Sequence, residues 1–189
     1  MAADTMFLQE VEATVVTYDV KGFMILAAQL GPVEMGVELG RFYEHVAENV
    51  TAEGGRVVKF VGDAVLSVFL GKKDHRGAGL RAVLRSLRVR EAWLKESADA
   101  GRPLLDYTIG AAAGPVLAGD VGIPKLRSYD VLGRPVNFAF RLCALAASRG
   151  VTHLVTAGVY EGAKVPPAGI EVEGVEFAGK ALRLFRLEG

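Results

Sequence analysis

Apolar and polar positions along this chain follow two different spacings, and the change from one to the other predicts its strands and helices. Residues 12–18 are rich in β-forming side chains and predict a first strand that ends at Asp19. From Pro32 onward, apolar residues recur at helical spacing as far as Val50, and the glycine pair 54–55 ends this helix. The chain therefore opens with a strand followed by a helix.

A predicted hairpin and a second long helix come next. Residues 56–60 and 64–69 predict two short strands joined by a tight turn. Leucines spaced by four, three and seven residues predict one amphipathic helix over residues 74–99. A third helix is predicted over residues 135–147, with Pro135 in its first turn, where a missing N–H costs nothing. The remaining strands are predicted over residues 106–113, 115–120, 128–132, 151–156, 171–177 and 182–187.

This order of elements favours one antiparallel or mixed sheet with helices packed on a face, which is an α+β fold. With 189 residues, of which 51% are apolar, the chain fits one domain with one core. No repeat, low-complexity segment or linker divides it. We therefore expect a single domain over residues 1–189, in which residues 1–11 form an N-terminal extension and residues 12–187 form the core.

Charge and cysteine content narrow the possible classes of function. The 22 basic residues balance 22 acidic ones, which gives no general attraction to nucleic acid or to an anionic membrane. Cys143 is the only cysteine, so no disulfide forms within the chain, as is typical of a cytoplasmic protein. The N-terminus lacks a secretion signal, and the longest uncharged stretch, residues 107–119, is too short to span a bilayer. We therefore expect a soluble, cytoplasmic chain with no membrane segment.

Two acidic residues that follow predicted strands are candidates for metal binding. Asp19 comes directly after the first strand, and Asp63 lies in the turn of the hairpin. Antiparallel pairing of neighbouring strands would bring the two carboxylates to one edge, where they repel each other unless a cation lies between them. Oxygen ligands of this kind suit Mg²⁺ or Mn²⁺ that carries a nucleoside triphosphate. From spacing alone, a simple turn former after Gly62 is the more common role of Asp63.

Other polar positions offer groups that suit phosphate and sugar. Gly22 lies three residues after Asp19, and a turn there presents backbone N–H groups to phosphates. No Walker-type loop is present, because residues 119–125 have the wrong glycine spacing. Asn137 and Arg141 lie four residues apart on the third helix and so share a face, where an amide and a planar cation suit a sugar and a phosphate. Without further context, a solvated helix edge is the simpler explanation of that pair.

Three segments together resemble the class III adenylyl and guanylyl cyclases. Residues 17–23 (Thr-Tyr-Asp-Val-Lys-Gly-Phe) are similar to the family's first metal-binding segment, and residues 54–64 match its second metal-binding hairpin closely. Residues 130–142 match the third signature in order and spacing. The resemblance covers about residues 12–187. It implies the class III nucleotidyl cyclase fold, with a ferredoxin-like β-α-β-β-α-β core, a mixed or antiparallel sheet and extra C-terminal strands.

The resemblance implies that the first two segments bind metal and phosphate. Asp19 and Asp63, with the carbonyl group of Val20, would hold two divalent metal ions, Mg²⁺ or Mn²⁺. The β- and γ-phosphates would be held by the backbone of Val20, Lys21, Gly22 and Phe23.

The resemblance also implies that Lys59 and Asp130 read the purine. Lys59 only donates hydrogen bonds and an ionised Asp130 only accepts them, so the two complement the N1 acceptor and N6 donor of adenine. Guanine presents these groups in the reverse places and would leave buried groups unpaired. The expected substrate is therefore ATP, which is converted to cyclic AMP and pyrophosphate.

The remaining implied roles concern the ribose, the α-phosphate and the assembly. Asn137 would orient the ribose and Arg141 would stabilise the charge that develops on the α-phosphate. The phosphate-binding lysine near the end of the chain would be Lys180, or its role would fall to Arg183. The resemblance further implies a two-fold homodimer in which each active site combines residues of both protomers.

Two alternatives stay open at this point. The first is a guanylate cyclase, with the same chemistry on another base. The second is a catalytically weak cyclase-homology module that binds nucleotide or dimerises for regulation. Met24 stands where the family usually has threonine, and Phe140 stands where it usually has a small residue, which favours the second alternative. The complete set of polar residues argues against it.

Overall fold

A computed structural model describes residues 8–71, 73–123, 125–164, 166–173, 175–177 and 180–188 of the chain. The elements in chain order are β1 (Leu8–Val20), α1 (Phe23–Gln29), α2 (Pro32–Ala52), β2 (Arg56–Val61), β3 (Ala64–Leu70), α3 (His75–Asp99), β4 (Tyr107–Ile123), β5 (Leu126–Leu132), α4 (Arg134–Ser148), β6 (His153–Thr156), α5 (Ala157–Tyr160), β7 (Gly169–Val172), β8 (Glu176–Phe177), β9 (Lys180–Ala181) and β10 (Leu184–Leu187).

The described strands form one large sheet and one small hairpin. The large sheet has eight strands in the order β2-β3-β1-β4-β6-β10-β7, with β5 also paired to β4, while β8 and β9 pair with each other. The pairing of β4 with β6 is parallel, and the other pairings are antiparallel. The predicted α+β fold with a mixed, largely antiparallel sheet and extra C-terminal strands is confirmed.

The core lies on both faces of the sheet, because neighbouring residues of a strand point to opposite sides. Val16 and Tyr18 of β1 pack with Phe42 of α2 and with residues of α3. Val15 belongs to a second cluster, on the opposite face, that includes Ala139 of α4. Helices therefore cover both faces of the sheet, where the sequence predicted packing on one.

Several elements differ from those predicted, including the unpredicted short elements α5 and β9. The first strand begins at Leu8, so residues 8–11 belong to the sheet and not to an N-terminal extension. The strands predicted at 106–113 and 115–120 form the single strand β4, because β1 pairs with it continuously through Gly114 and Pro115. The segment 171–177 divides between β7 and β8. Helix α1 was not predicted, because its seven residues are too few for a helical period to show.

Close contact between α4 and β4 depends on a glycine. A Cβ atom at Gly110 would lie 2.0 Å from the carbonyl oxygen of Ala139. The helix therefore lies directly on the strand backbone. Cys143, one turn further along, is fully buried, and its Sγ lies 3.2 Å from the hydroxyl of Thr17. Among the described residues, no helix combines the length and apolar character that crossing a bilayer requires.

Candidate active site

The pairing of β1 with β3 brings Asp19 and Asp63 together. Asp19 lies opposite Ala64 in the ladder, and the amide of Val20 donates to the carbonyl of Asp63 at 3.2 Å. Burial, followed by the nearby Asp63 carboxylate, raises the pKa of Asp19 to about 6. A carboxylate that raises the pKa of its neighbour in this way favours a cation between the two.

The donor set at this position consists of oxygen atoms. Among the described residues, no three or more His, Cys, Asp or Glu side chains are grouped so that they could hold a metal ion by themselves. The available ligands are therefore the carboxylates of Asp19 and Asp63 with nearby backbone carbonyls. Hard oxygen donors in this number suit Mg²⁺ or Mn²⁺, which keep part of their coordination for water and substrate phosphates.

The turn that carries Asp63 is held by a tyrosine that sequence reasoning missed. The Tyr43 hydroxyl donates a hydrogen bond to the carbonyl of Gly62. The Tyr43 ring stacks on Phe60, with ring centroids 4.2 Å apart. Gly62 has φ +58°, a conformation that glycine adopts without strain. A tyrosine within a helical pattern gives no sign in the sequence that it contacts a distant turn.

In the loop after Asp19, some backbone N–H groups already donate hydrogen bonds to other parts of the protein. The amide of Lys21 donates to the carbonyl of Asp106 at 2.7 Å, and its ammonium group lies 3.1 Å from the Asp106 carboxylate. The amide of Val20 is engaged with Asp63, as described above. Helix α1 begins at Phe23, and the first N–H groups of a helix have no intrahelical acceptors. For the phosphate contact predicted over residues 20–23, the amides of Val20 and Lys21 thus have acceptors within the protein, and the N–H groups of Gly22 and Phe23 stay the candidates.

Lys59 and Asp130 form an ion pair across two strands. Lys59 Nζ lies 2.7 Å from Asp130 Oδ2, and the side chains are 45% and 16% exposed. The other carboxylate oxygen of Asp130 accepts from the amide of Val131 at 2.8 Å. The two residues predicted to read the purine are therefore adjacent in one protomer.

A β-bulge decides which way Lys59 points. Val57 and Lys59 pair with consecutive residues of β3, which leaves Val58 as an extra residue in β2. Val57 packs with the α2 and α3 side of the core, whereas Val58 packs with the α4 side. In a regular strand Lys59 would share the face of Val57. The bulge instead turns Lys59 to the opposite face, where it contacts Asp130. The next residue, Phe60, points to α2, where it stacks on Tyr43.

Asn137 and Arg141 lie where the helical spacing predicted. Both are exposed and lie one turn apart on α4. Arg141 lines an open cavity of about 380 Å³, together with Leu145 of α4 and Leu182 near the end of the chain. Among the described residues, no hydrogen bond or ion pair joins the Asp19–Asp63 pair to the Lys59–Asp130 pair.

The sequence offered two candidates, Lys180 and Arg183, for a phosphate-binding residue near the end of the chain. The side chain of Lys180 lies outside the described part of the structure. Arg183 is held by two carboxylates, with 2.6 Å to Glu161 and 2.9 Å to Glu171. Arg183 would therefore have to leave at least one of these exposed ion pairs to bind a phosphate.

The fold and the paired polar residues define a nucleotidyl cyclase domain. The sequence profile of the adenylate and guanylate cyclase catalytic domain family matches residues 8–176. The chain belongs to this family.

Curated relatives share a part of their length with this chain. An uncharacterized protein of Mycobacterium tuberculosis is 36% identical over 142 residues, which cover 74% of this chain and 24% of the relative. A second uncharacterized protein of that organism is 33% identical over 141 residues, which cover 75% of this chain and 25% of the relative. The chain thus spans about a quarter of the length of these relatives.

Solved structures share the fold over nearly the whole chain. A bacterial light-regulated adenylyl cyclase superimposes with a TM-score of 0.86 at 27% identity, covering 97% of this chain and 53% of that one. An adenylyl cyclase from P. aeruginosa gives 0.82 at 22% identity, with 96% of each chain covered. A guanylyl cyclase gives 0.76 at 22% identity, covering 94% and 91%. Since both kinds of cyclase are similar, these comparisons leave the purine base undecided.

Proposed function

We propose that this domain is an adenylate cyclase, a lyase that converts ATP to cyclic AMP and pyrophosphate. The observation that carries the proposal is the ion pair between Lys59 and Asp130. It places one hydrogen-bond donor and one acceptor side by side, which suits the N1 acceptor and N6 donor of adenine. Guanine placed in the same pose would meet a donor with a donor and an acceptor with an acceptor, and leaving buried polar groups unpaired is costly.

The proposed metal site consists of Asp19, Asp63 and the carbonyl of Val20, which would hold two divalent ions, Mg²⁺ or Mn²⁺. The raised pKa of Asp19 supports this assignment, because a cation offsets the repulsion that Asp63 exerts on it. When bound, such ions lower the pKa of the ribose 3′-hydroxyl and neutralise charge on the departing pyrophosphate.

The chain's own residues would then position the triphosphate. The N–H groups of Gly22 and Phe23 would bind phosphate oxygens, and Lys180 remains the candidate for a further phosphate contact. On α4, the amide of Asn137 would orient the ribose. The guanidinium group of Arg141 would stabilise charge that develops on the α-phosphate, since a planar fork of donors matches phosphate oxygens.

The proposed active form is a homodimer with composite sites. One protomer would supply Asp19 and Asp63, and its partner would supply Lys59, Asp130, Asn137 and Arg141. Large apolar side chains beside these residues are exposed in the single chain: Met24 is 80% exposed, Phe60 49% and Val61 44%. Exposed apolar surface of this kind is typical of a face that a second chain covers.

The two departures from the family pattern are compatible with an active enzyme. Met24 points into solvent, so it distorts nothing in the protomer. Phe140 packs against the core cluster on the α4 side of the sheet, where its ring is accommodated. That neither side chain disturbs the described fold of the protomer supports the enzyme over the weak-module alternative.

One assay tests the proposal against both alternatives. The purified protein is incubated with ATP or GTP and Mn²⁺, and cyclic nucleotides are quantified. Formation of cyclic AMP with little cyclic GMP is the expected result. Preference for GTP would indicate a guanylate cyclase, and absence of both products in a dimeric, folded sample would indicate a module that only binds or dimerises.

A further inference from the structure

Strands β2 and β5 are connected by side chains that lie next to the proposed base-reading pair. The guanidinium carbon of Arg56 lies 3.6 Å from the centroid of the Tyr129 ring. Arg56 precedes Lys59 by three residues on β2, and Tyr129 directly precedes Asp130 on β5. No backbone ladder joins β2 to β5 among the described residues. The sheet links the two strands only through β3, β1 and β4, so side-chain contacts between β2 and β5 also set the distance between Lys59 and Asp130.

The ion pair by itself is a poor spacer. Lys59 is a flexible side chain that is 45% exposed, and exposed ion pairs contribute little fixed geometry. Asp130 is held by the amide of its own neighbour Val131, so its orientation follows β5. What remains to be fixed is the position of β5 relative to β2.

A planar cation stacked on an aromatic ring meets that requirement. Contact of two flat groups sets both their separation and their tilt, whereas a lysine ammonium group tolerates many directions. Tyr129 and Val58 also belong to one apolar cluster, which keeps water away from one side of the stack. The contact at 3.6 Å is close for an arginine over a ring, since such contacts extend to about 6 Å.

We infer that Arg56 and Tyr129 form a positioning clamp that holds β5 at the distance from β2 at which Lys59 and Asp130 reach one base edge together, and that this clamp sets the selectivity between purines. The inference rests on the proposed base-reading role of Lys59 and Asp130. Neither clamp residue is assigned a contact with the reacting atoms. Loosening the clamp would let the donor and the acceptor move independently, which weakens binding of the base that needs both.

The experiment compares Arg56→Ala and Tyr129→Leu with the wild type and with Tyr129→Phe, which keeps the ring face. The ratio of kcat/KM for ATP to that for GTP is measured for each. We expect it to fall by about 3- to 10-fold in the first two variants, chiefly through a higher KM for ATP, and to stay within about 2-fold in Tyr129→Phe. Arg81→Ala, which breaks ion pairs to Glu53 and Asp74 on another face, serves as a stability control with an unchanged ratio.

The double variant separates a clamp from general destabilisation. If the two residues act through one contact, Arg56→Ala combined with Tyr129→Leu lowers the ratio no further than either change alone. Additive losses, or a wild-type ratio in both single variants, would overturn the inference. If Tyr129→Leu does not fold, Arg56→Ala and Tyr129→Phe still decide the question. Arg56→Ala removes an exposed side chain, so this variant is expected to fold.

Failure of the proposed function has a different signature. It shows in the wild type, as preferred turnover of GTP or as no turnover. With preferred turnover of GTP, the variants are compared by the same ratio. With no turnover, equilibrium binding of ATP and of GTP to the same variants is measured by calorimetry. A ratio of affinities that the clamp variants leave unchanged would then overturn the inference.

Discussion

Lys59 and Asp130 form an ion pair at 2.7 Å although three strands, β3, β1 and β4, separate their own strands in the sheet. A bulge in β2 turns Lys59 away from the face of Val57, and its ammonium group reaches Asp130 on β5. The groups proposed to read the purine therefore belong to one protomer. Contacts that fix the two strands relative to each other lower the cost of recognition, since less freedom is lost on binding.

Replacing Asp130 with Asn is expected to reduce the preference for ATP. A carboxylate only accepts hydrogen bonds, whereas an amide both donates and accepts, so the variant would tolerate either purine edge. We expect the ratio of kcat/KM for ATP to that for GTP to fall by about 10-fold. Competition assays with both triphosphates measure this ratio. An unchanged ratio would remove Asp130 from base recognition.

The Asp63→Ala variant is expected to lose at least about 100-fold in turnover, because the proposed metal site would keep one carboxylate. Its thermal unfolding midpoint should stay near that of the wild type, since the partly exposed side chain contributes little packing. Glu48→Ala removes an exposed carboxylate from α2 and serves as the matched control. Substantial activity of Asp63→Ala at saturating Mn²⁺ would return Asp63 to the role of a turn former.

Complementation tests the composite site. Asp19→Ala and Arg141→Ala should each be inactive alone, since each would damage both sites of its homodimer. In an exchanged mixture with random pairing, a heterodimer has one doubly damaged site and one intact site. About a quarter of all sites are then intact, given two-fold symmetry.

Subunit exchange must be shown independently in that experiment, for example by energy transfer between labelled protomers. Activity of the mixture well above that of either parent supports sites shared between protomers. A mixture that exchanges and stays inactive would contradict the dimeric mechanism.

Gly110→Ala is expected to destabilise the fold by about 2–3 kcal/mol. The new Cβ would lie 2.0 Å from the backbone oxygen of Ala139, so α4 must move off the strand. Because α4 carries the proposed catalytic pair, activity should fall with stability. Gly40→Ala on α2 is the control: its Cβ meets nothing within 4 Å, and alanine in a helix is favoured by about 0.5–1 kcal/mol. Equal melting midpoints for both variants would contradict the close packing of α4 on β4.

A buried histidine predicts how stability depends on pH. Burial, and then the charge of Arg186, lowers the pKa of His153 to about 4. The amide of Leu187 donates to its Nε2 at 2.8 Å, a hydrogen bond that needs this nitrogen unprotonated. Between about pH 6.5 and 4 the unfolded chain binds a proton at His153 that the folded chain does not, so the free energy of unfolding falls as pH falls.

His153→Gln should flatten that dependence, by up to about 3 kcal/mol over the window, as one pKa unit corresponds to about 1.4 kcal/mol. Urea unfolding at a series of pH values measures the slope. The raised pKa of Asp19 acts in the opposite direction, because its carboxylate destabilises the fold as pH rises from about 4 to 6. A Gln variant with the wild-type slope would contradict the role of His153.

What the sequence by itself determined was the type of each long element and the identity of the polar residues. Long periodic segments such as 74–99 were predicted as helix because their apolar spacing extends over several turns, and α3 spans His75–Asp99. The spacing of Asn137 and Arg141 placed them on one helix face for the same reason. Motif order supported the family, which the profile match over residues 8–176 confirmed.

Only the tertiary structure decided how distant residues combine. The bulge at Val58, the turn contact from Tyr43 and the stack of Arg56 on Tyr129 leave no trace in local periodicity. The use of the Lys21 amide by Asp106 and the capture of Arg183 by two carboxylates depend on residues far along the chain or on other strands. Hydrophobic spacing reports the face that a residue occupies in a regular element. Register, bulges and side-chain pairing arise only when the elements pack against one another. The geometry of this site is therefore determined by that packing.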